Sequence, residues 1–186
     1  NTLYENSGKG YFSDVSGRAG LGVSSRPFMG WGTFFFDADK DGWEDIFVAN
    51  GHLMPDIDKA GVSLKYHQRN QFYHNTGTGK FLDVSEELGP ALKSEQVSRG
   101  AAFGDYDNDG DLDILVANLD SNPSLLRNET KSTHHWISIQ LRSQGQNTDA
   151  IGAKIEVRNG VNTQIREIRT GTSFQAQNDI RQYFGI

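Results

Sequence analysis

Cysteine is absent from the 186 residues, and the chain has only 4 prolines beside 21 glycines. The lack of cysteine excludes a disulfide scaffold but leaves the cellular compartment open. No apolar run approaches the roughly 18 residues that a membrane-spanning helix needs, and no basic cluster indicates nucleic-acid binding. Many glycines, few prolines and 11% aromatic residues are typical of an all-β chain with many turns, so we predict an all-β fold.

The most acidic stretch of the chain lies between residues 105 and 113. It places five aspartates at alternate positions, Asp105, Asp107, Asp109, Asp111 and Asp113, with Gly110 among them. Carboxylates this close together repel one another unless a cation lies between them or all of them point into water. The spacing D-x-D-x-D-G-x-x-D is typical of a loop that offers oxygens at positions 1, 3, 5 and 9 and a backbone carbonyl at position 7, which favours calcium. The alternative is an acidic turn that binds no metal.

A second copy of this loop begins at Asp37, 68 residues before Asp105. Its matching ligand positions are Asp37, Asp39, Asp41 and Asp45. Position 7 is Trp43 in this copy and Asp111 in the other, so we expect the backbone carbonyl, not the side chain, to bind the metal. On this reasoning the Asp111 side chain adds only long-range charge. Two bound Ca²⁺ ions would bring the formal net charge from -6 to about -2, so metal binding accounts for most of the acidity.

Two other calcium loops begin in a similar way. An EF-hand requires a bidentate glutamate at position 12 and helices on both sides, and a dockerin-type loop also requires a carboxylate near position 12 and a following helix. Position 12 is Val48 in the first loop and Val116 in the second. The flanking sequences TFFF, DIFVAN and DILVAN are short and rich in β-formers. The pattern therefore predicts a strand, a calcium loop and a second strand.

The loops belong to a longer internal repeat. The segment NTLYENSGKGYFSDVS starts at residue 1, and NQFYHNTGTGKFLDVS starts at residue 70. Each unit predicts four strands, at residues 3–6, 12–15, 33–36 and 45–49 in the first unit and at 71–75, 81–84, 101–103 and 113–117 in the second. Four-stranded repeats of this length are typical of propeller blades. Residues 51–69 resemble an insertion on one face, where specificity is often carried.

The pattern FDxDxDGxxDIxVAN, followed by LxxN, resembles the FG-GAP/VCBS repeat family, whose blades carry calcium loops as in integrin α-subunit propellers. The resemblance covers residues 1–128. It implies tandem four-stranded blades of an incomplete propeller. It also implies ligands at the four matching aspartates of each loop, with carbonyls from Trp43 and Asp111.

After a polar linker at residues 129–134, the composition changes. Alternating strands are predicted at residues 135–141, 153–158 and 163–169, and Asn159-Gly160 is a hairpin signal between the last two. The order HHWISIQL, IGAKIEVRNG, TQIREIRTGTSFQAQND and YFG resembles the ASPIC/UnbV domain, which follows FG-GAP repeats in cartilage-acidic-protein-like secreted proteins. We therefore predict a small β-domain at residues 135–186.

Residues outside the loops give little sign of chemistry. His134 and His135 are adjacent, so their side chains diverge on a strand, and His52, His67 and His74 show no partnered spacing. The chain has no G-x-S-x-G nucleophile elbow. A polar patch at residues 175–179 is expected to close the small β-domain as a turn rather than to bind a sugar.

These observations favour an extracellular, non-catalytic recognition or adhesion module that holds two structural Ca²⁺ ions. One alternative is a calcium-dependent structural subunit that assembles head-to-tail into a ring or filament, and another is part of a polysaccharide-active enzyme. Loops without a bidentate glutamate suit the millimolar calcium outside cells. Because the chain starts at Asn1 without a signal peptide, we expect a fragment of a longer, secreted or cell-surface bacterial protein. The expected partner is an unknown protein or glycan, further copies of this chain, or the missing blades of a longer parent chain.

Overall fold

A computed structural model describes residues 1–160 and 162–186. The strands within these residues are β1 Tyr4–Asn6, β2 Phe12–Asp14, β3 Gly30–Phe36, β4 Asp45–Asn50, β5 Gln68–Arg69, β6 Gln71–Asn75, β7 Phe81–Asp83, β8 Glu95–Gln96, β9 Ser98–Gly104, β10 Asp113–Asn118, β11 Ser124–Leu126, β12 Trp136–Ile139, β13 Lys154–Asn159, β14 Asn162–Glu167 and β15 Gln182–Gly185. Short helices occur at α1 Leu21–Ser24 and α2 Pro90–Lys93, and a 3₁₀ turn at Ile57–Lys59. The all-β prediction is confirmed. Within the described part of the chain, no helix has the length and apolarity to cross a membrane.

The first blade is a four-stranded antiparallel sheet in the order β3-β4-β6-β7. Its central strand β4 is buried along its whole length. Phe47 and Ala49 pack into one apolar cluster, and Ile46 and Val48 pack into another on the opposite face. Successive side chains of a strand point to opposite faces, so the run IFVA fits a strand that is covered on both sides.

The second blade contains the sheet β9-β10-β11 and packs against the first. Phe103 of β9 lies between two rings of β3, with centroids 5.1 Å from Phe34 and 5.6 Å from Phe36. In the described residues no strand pairs with the outer edge of β11, so this sheet has three strands where the first has four. The arrangement fits an incomplete propeller-like fold, as predicted.

The assignment of strands to blades was wrong in one respect. We expected residues 3–6 and 12–15 to share a blade with residues 33–36 and 45–49, but β1 and β2 form a separate two-stranded sheet and β4 pairs with β6. The reason lies at the end of β6, where the Asn75 amide donates a hydrogen bond to Asp45 Oδ1 over 2.8 Å. The first acidic loop therefore holds the β6–β7 hairpin that follows it, and this blade joins the end of one sequence repeat to the start of the next.

The C-terminal part of the chain forms two antiparallel pairs, β12 with β15 and β13 with β14. Its core contains Ile155, Ile168 and Phe184. The predicted polar turn at residues 175–179 contacts the second blade. The Asp179 amide donates to the Phe103 carbonyl over 2.9 Å, and the Phe103 amide donates to Asn178 Oδ1 over 3.1 Å. These polar groups therefore contribute to packing between the two parts of the chain.

Candidate metal centre

The two acidic loops have the same backbone conformation. Position 4 has a left-handed backbone in both, with φ of 65° at Lys40 and 61° at Asn108. Position 6 is glycine with φ of 89° in both, at Gly42 and Gly110. Residues with a side chain rarely adopt a φ of 89°, which glycine adopts without steric strain. The loop geometry is thus specified by the sequence and repeated between the blades.

Carboxylates within each loop accept hydrogen bonds from backbone amides two residues further on. In the first loop Asp39 Oδ1 accepts from the Asp41 amide (3.3 Å) and Asp41 Oδ1 from the Trp43 amide (2.8 Å). The second loop repeats both bonds, with distances of 3.3 Å and 2.9 Å. These turns restrain the carboxylates at positions 3 and 5 of each loop, and in the second loop the Oδ2 atoms of both face Arg127.

The first aspartate of each loop provides the clearest sign of a cation. Asp37 and Asp105 are both only 6% exposed. Their Oδ2 atoms accept hydrogen bonds from the amides of Gly42 (3.0 Å) and Gly110 (3.2 Å), whereas both Oδ1 atoms are buried and have no hydrogen-bond partner. A buried carboxylate oxygen without a partner is costly. The same atom is unpartnered in both loops, so the residues present fit a bound cation.

The pKa values of the loop aspartates reflect their burial and the repulsion between neighbouring carboxylates. Burial raises the pKa of Asp37 to about 6 and that of Asp45 to about 7, with nearby aspartates adding to both shifts. Burial also raises the pKa of Asp41. In the second loop, burial raises the pKa of Asp113, while hydrogen bonding from the Asp111 amide lowers that of Asp109. The ionised form of these carboxylates is therefore unfavourable in the first loop. A bound divalent cation would favour the ionised form and lower their pKa values.

The aspartate at the ninth position of each loop accepts hydrogen bonds both from the start of its own loop and from the chain at the end of the neighbouring strand. Asp45 Oδ2 accepts a hydrogen bond from the Ala38 amide at 3.2 Å, and its Oδ1 accepts the bond from Asn75 in the neighbouring strand. Asp113 repeats this pattern with the amides of Tyr106 (3.4 Å) and Asn128 (2.9 Å). Both carboxylates thus have a structural role besides any role as metal ligand.

At position 7 of the second loop, the Asp111 side chain makes a direct contact that we did not expect. Asp111 forms an ion pair with Lys40 of the other loop, with Nζ and Oδ1 2.7 Å apart and both side chains largely buried. The expectation that Asp111 adds only long-range charge was therefore wrong, because the two loops lie side by side. Trp43 is half exposed and packs over Gly77. Metal binding by the carbonyls of Trp43 and Asp111 stays a prediction.

Sequence reasoning missed one residue of the first site. His74 Nδ1 lies 3.2 Å from Asp45 Oδ1 and 3.8 Å from Asp39 Oδ2. Asp39, Asp41 and His74 can all bring a ligand atom within 4.8 Å of one another, as can Asp105, Asp107 and Asp109 in the second loop. The internal repeat could have identified this position. His74 immediately precedes Asn75, as Arg127 immediately precedes the equivalent Asn128.

Arg127 takes the place of His74 at the second site. Strand β6 pairs with β4 as β11 pairs with β10, with Tyr73 opposite Ile46 and Leu126 opposite Ile114. The next residue therefore reaches the loop in each blade. Arg127 Nη2 lies 3.1 Å from Asp107 and 3.5 Å from Asp109. The first site has an imidazole beside its carboxylates, and the second has a permanent positive charge.

The fold and the two loops define a class of all-β repeat protein whose propeller-type blades carry acidic loops that could hold a cation. Comparison with known families places the chain more narrowly. Residues 56–116 match the FG-GAP-like repeat family, and residues 143–186 match the ASPIC and UnbV family. The chain thus has an FG-GAP-like repeat followed by an ASPIC/UnbV domain, which confirms the resemblance. A search of curated proteins found no match. The FG-GAP match includes the second acidic loop; the first loop lies outside the matched residues and shares the positive φ values of the second at positions 4 and 6.

Proposed function

We propose that this chain is an extracellular, non-catalytic recognition or adhesion module whose blades are stabilised by two Ca²⁺ ions. The observation that carries the proposal is the pair of buried Oδ1 atoms, of Asp37 and Asp105, that lack hydrogen-bond partners in two loops of the same conformation. FG-GAP repeats are typically extracellular. Calcium loops of modest affinity fill at the millimolar concentrations found there.

Each ion would be held by one loop. The residues that would hold it are Asp37, Asp39, Asp41 and Asp45 with the Trp43 carbonyl at the first site, and Asp105, Asp107, Asp109 and Asp113 with the Asp111 carbonyl at the second. Carboxylate and carbonyl oxygens are the ligands that hard cations prefer, although His74 broadens the choice at the first site. Bound calcium would neutralise the repulsion between carboxylates. Asp45 and Asp113 would then keep their hydrogen bonds to Asn75 and Asn128 without being pushed away by the other carboxylates of the loop.

A calcium titration followed by calorimetry tests the proposal. We expect two sites per chain in the wild-type protein, and one site in each of the variants Asp37→Asn and Asp105→Asn. Asp56→Asn is a matched control, since Asp56 lies outside both loops and pairs with Lys59 on the surface. Absence of calcium binding by the wild-type protein at millimolar concentrations would overturn the proposal.

An open sheet edge and an exposed hairpin favour a second candidate function, assembly with further copies of this chain. The outer edge of β11 is unpaired within the described residues, and the separate β1–β2 hairpin is exposed on all three residues of each strand. Tyr4, Tyr11 and Phe12 of that hairpin are all more than half exposed. Open sheet edges and exposed apolar side chains invite pairing with another chain. Light scattering with calcium and with EDTA tests this, because a monomer in both conditions contradicts calcium-dependent assembly.

A further inference from the structure

The C-terminal domain lies directly on the first acidic loop. The Gly185 amide of β15 donates a hydrogen bond to Asp37 Oδ2 over 3.1 Å, and this is the carboxylate whose other oxygen has no partner. A Cβ at Gly185 would overlap both Asp37 Oδ2, which accepts this hydrogen bond, and the Lys40 carbonyl. The backbone of β15 therefore contacts the loop so closely that only glycine fits.

The same domain covers the second loop from the neighbouring strand. Trp136 of β12 is the cross-strand partner of Gly185. Its indole ring lies against Gly110, where an added Cβ would overlap the ring. The Lys40 ammonium, which pairs with Asp111, lies 5.5 Å from the centre of the same ring. One cross-strand pair of the C-terminal domain thus contacts the tight turns of both loops.

Further polar contacts surround this pair. Ser132 Oγ donates to the Asp39 carbonyl at 2.6 Å, and Arg166 pairs with Glu44 at 3.2 Å beside the first loop. Arg181 Nη2 donates to the Asp105 carbonyl at 3.2 Å in the second. These partners are backbone carbonyls or a residue outside the ligand set, so the contacts leave the ligand carboxylates free.

We propose that Trp136 and Gly185 are positioning residues for both calcium loops, so that calcium binding and docking of the C-terminal domain are thermodynamically linked. The proposal rests on the calcium binding proposed above. Without the ion, the carboxylates of each loop repel one another, and any expansion moves Asp37 away from the Gly185 amide. With the ion, the loop keeps the shape that β15 and Trp136 fit.

Linkage works in both directions. If calcium strengthens docking of the domain, then the docked domain must strengthen calcium binding by the same factor. Couplings of this kind typically change affinity by roughly 5- to 150-fold. Because the contacts here involve one direct hydrogen bond and one ring, we expect a change of roughly tenfold.

Calcium titrations of interface variants test the proposal. Gly185→Ala and Trp136→Ala should each bind calcium roughly tenfold more weakly than the wild-type protein, and Trp136→Phe, which keeps an aromatic ring over Gly110, should recover most of the affinity. Ile165→Ala is the matched control, because Ile165 is an exposed apolar residue of the same domain and should not alter calcium binding.

Hydrogen exchange of the wild-type protein gives an independent measurement that needs no variant. Removing calcium should speed exchange of the β12 and β15 amides more than that of the β13–β14 hairpin. If the wild-type protein binds no calcium, the proposed function itself fails. If it binds calcium, but the variants bind equally well and exchange in β15 is unchanged by EDTA, the linkage is overturned and the proposed function stands.

Discussion

Two carboxylates of the first loop, Asp37 and Asp45, are buried where ionisation is unfavourable. Burial raises their pKa values to about 6 and about 7, from about 3.9 in an unfolded chain. At pH values between the pKa of the unfolded chain and those of the folded protein, the folded, metal-free protein binds protons that the unfolded chain releases. The free energy of unfolding therefore falls as pH rises through this window, since stability falls with pH wherever the native state binds more protons.

The first prediction concerns this pH dependence. In EDTA, the melting temperature should fall between pH 5 and pH 8, and the increase caused by calcium should grow over the same range because calcium replaces the protons. Carboxylates with lowered pKa values, such as Asp83, affect stability only at more acidic pH. Thermal melting at several pH values checks this. The variant Asp37→Asn/Asp45→Asn should show a flatter profile, and a metal-free wild type that gains stability from pH 5 to pH 8 would contradict the prediction.

A second prediction concerns the residue that distinguishes the two sites. Arg127 is half exposed and places a positive charge beside Asp107 and Asp109, where it opposes a cation. Arg127→Gln should therefore tighten calcium binding at the second site by roughly two- to fivefold, the size typical of a partly exposed charge pair. The first site, with His74 in the equivalent position, should not change.

Calorimetric titration of Arg127→Gln in the Asp37→Asn background isolates the second site. Arg142→Gln is the matched control, because Arg142 pairs with Asp149 in the C-terminal domain. Weaker calcium binding by Arg127→Gln would show that the arginine organises the carboxylates more than it competes with the ion.

At the scale of the element, the ninth residue of each loop fixes how the strands of a blade come together. Asp45 is 1% exposed and accepts hydrogen bonds from the amides of Ala38 and Asn75. We predict that Asp45→Ala lowers the free energy of unfolding by about 2 kcal/mol even in EDTA, because amides lose their acceptor in a buried place.

Asp39→Ala provides the comparison for this prediction. Asp39 lies in the same loop but is more exposed, and its removal relieves repulsion between carboxylates. Urea unfolding in EDTA should show little loss for Asp39→Ala and a clear loss for Asp45→Ala, while both variants should lose calcium binding at the first site. Equal stability of the two variants in EDTA would contradict a structural role for Asp45.

The acidic loops, the longer strands and the hairpins between sequence neighbours could be predicted from the sequence, but the strands β5, β8, β11 and β15 and the pairing between repeats could not. The run of β-forming residues in DIFVAN and the D-x-D-x-D-G-x-x-D spacing are local patterns, and both predicted their local structure. Pairing of β4 with β6 depends on the contact between Asp45 and Asn75, 30 residues apart in the chain. The ion pair of Lys40 with Asp111 and the contact of Gly185 with Asp37 likewise depend on which blades and domains are neighbours, and a local pattern contains no such information.

At the scale of the whole molecule, the two loops and the C-terminal domain meet in one region, so calcium should stabilise the protein as a unit. With free calcium at about ten times the dissociation constant, each site adds about 1.4 kcal/mol to the free energy of unfolding. Two sites should raise the melting temperature by roughly 6–11 °C for a chain of this size.

Scanning calorimetry checks this last prediction. With calcium, the blades and the C-terminal domain should unfold in one transition, because Trp136 and Gly185 connect them through the loops. In EDTA, the transition should shift to lower temperature and broaden or separate as docking weakens. The variant Asp37→Asn/Asp105→Asn should show no calcium-dependent shift. Magnesium should have less effect than calcium, since it demands near-octahedral geometry and loses its water reluctantly. Identical wild-type melting in calcium and EDTA would contradict metal binding at these loops.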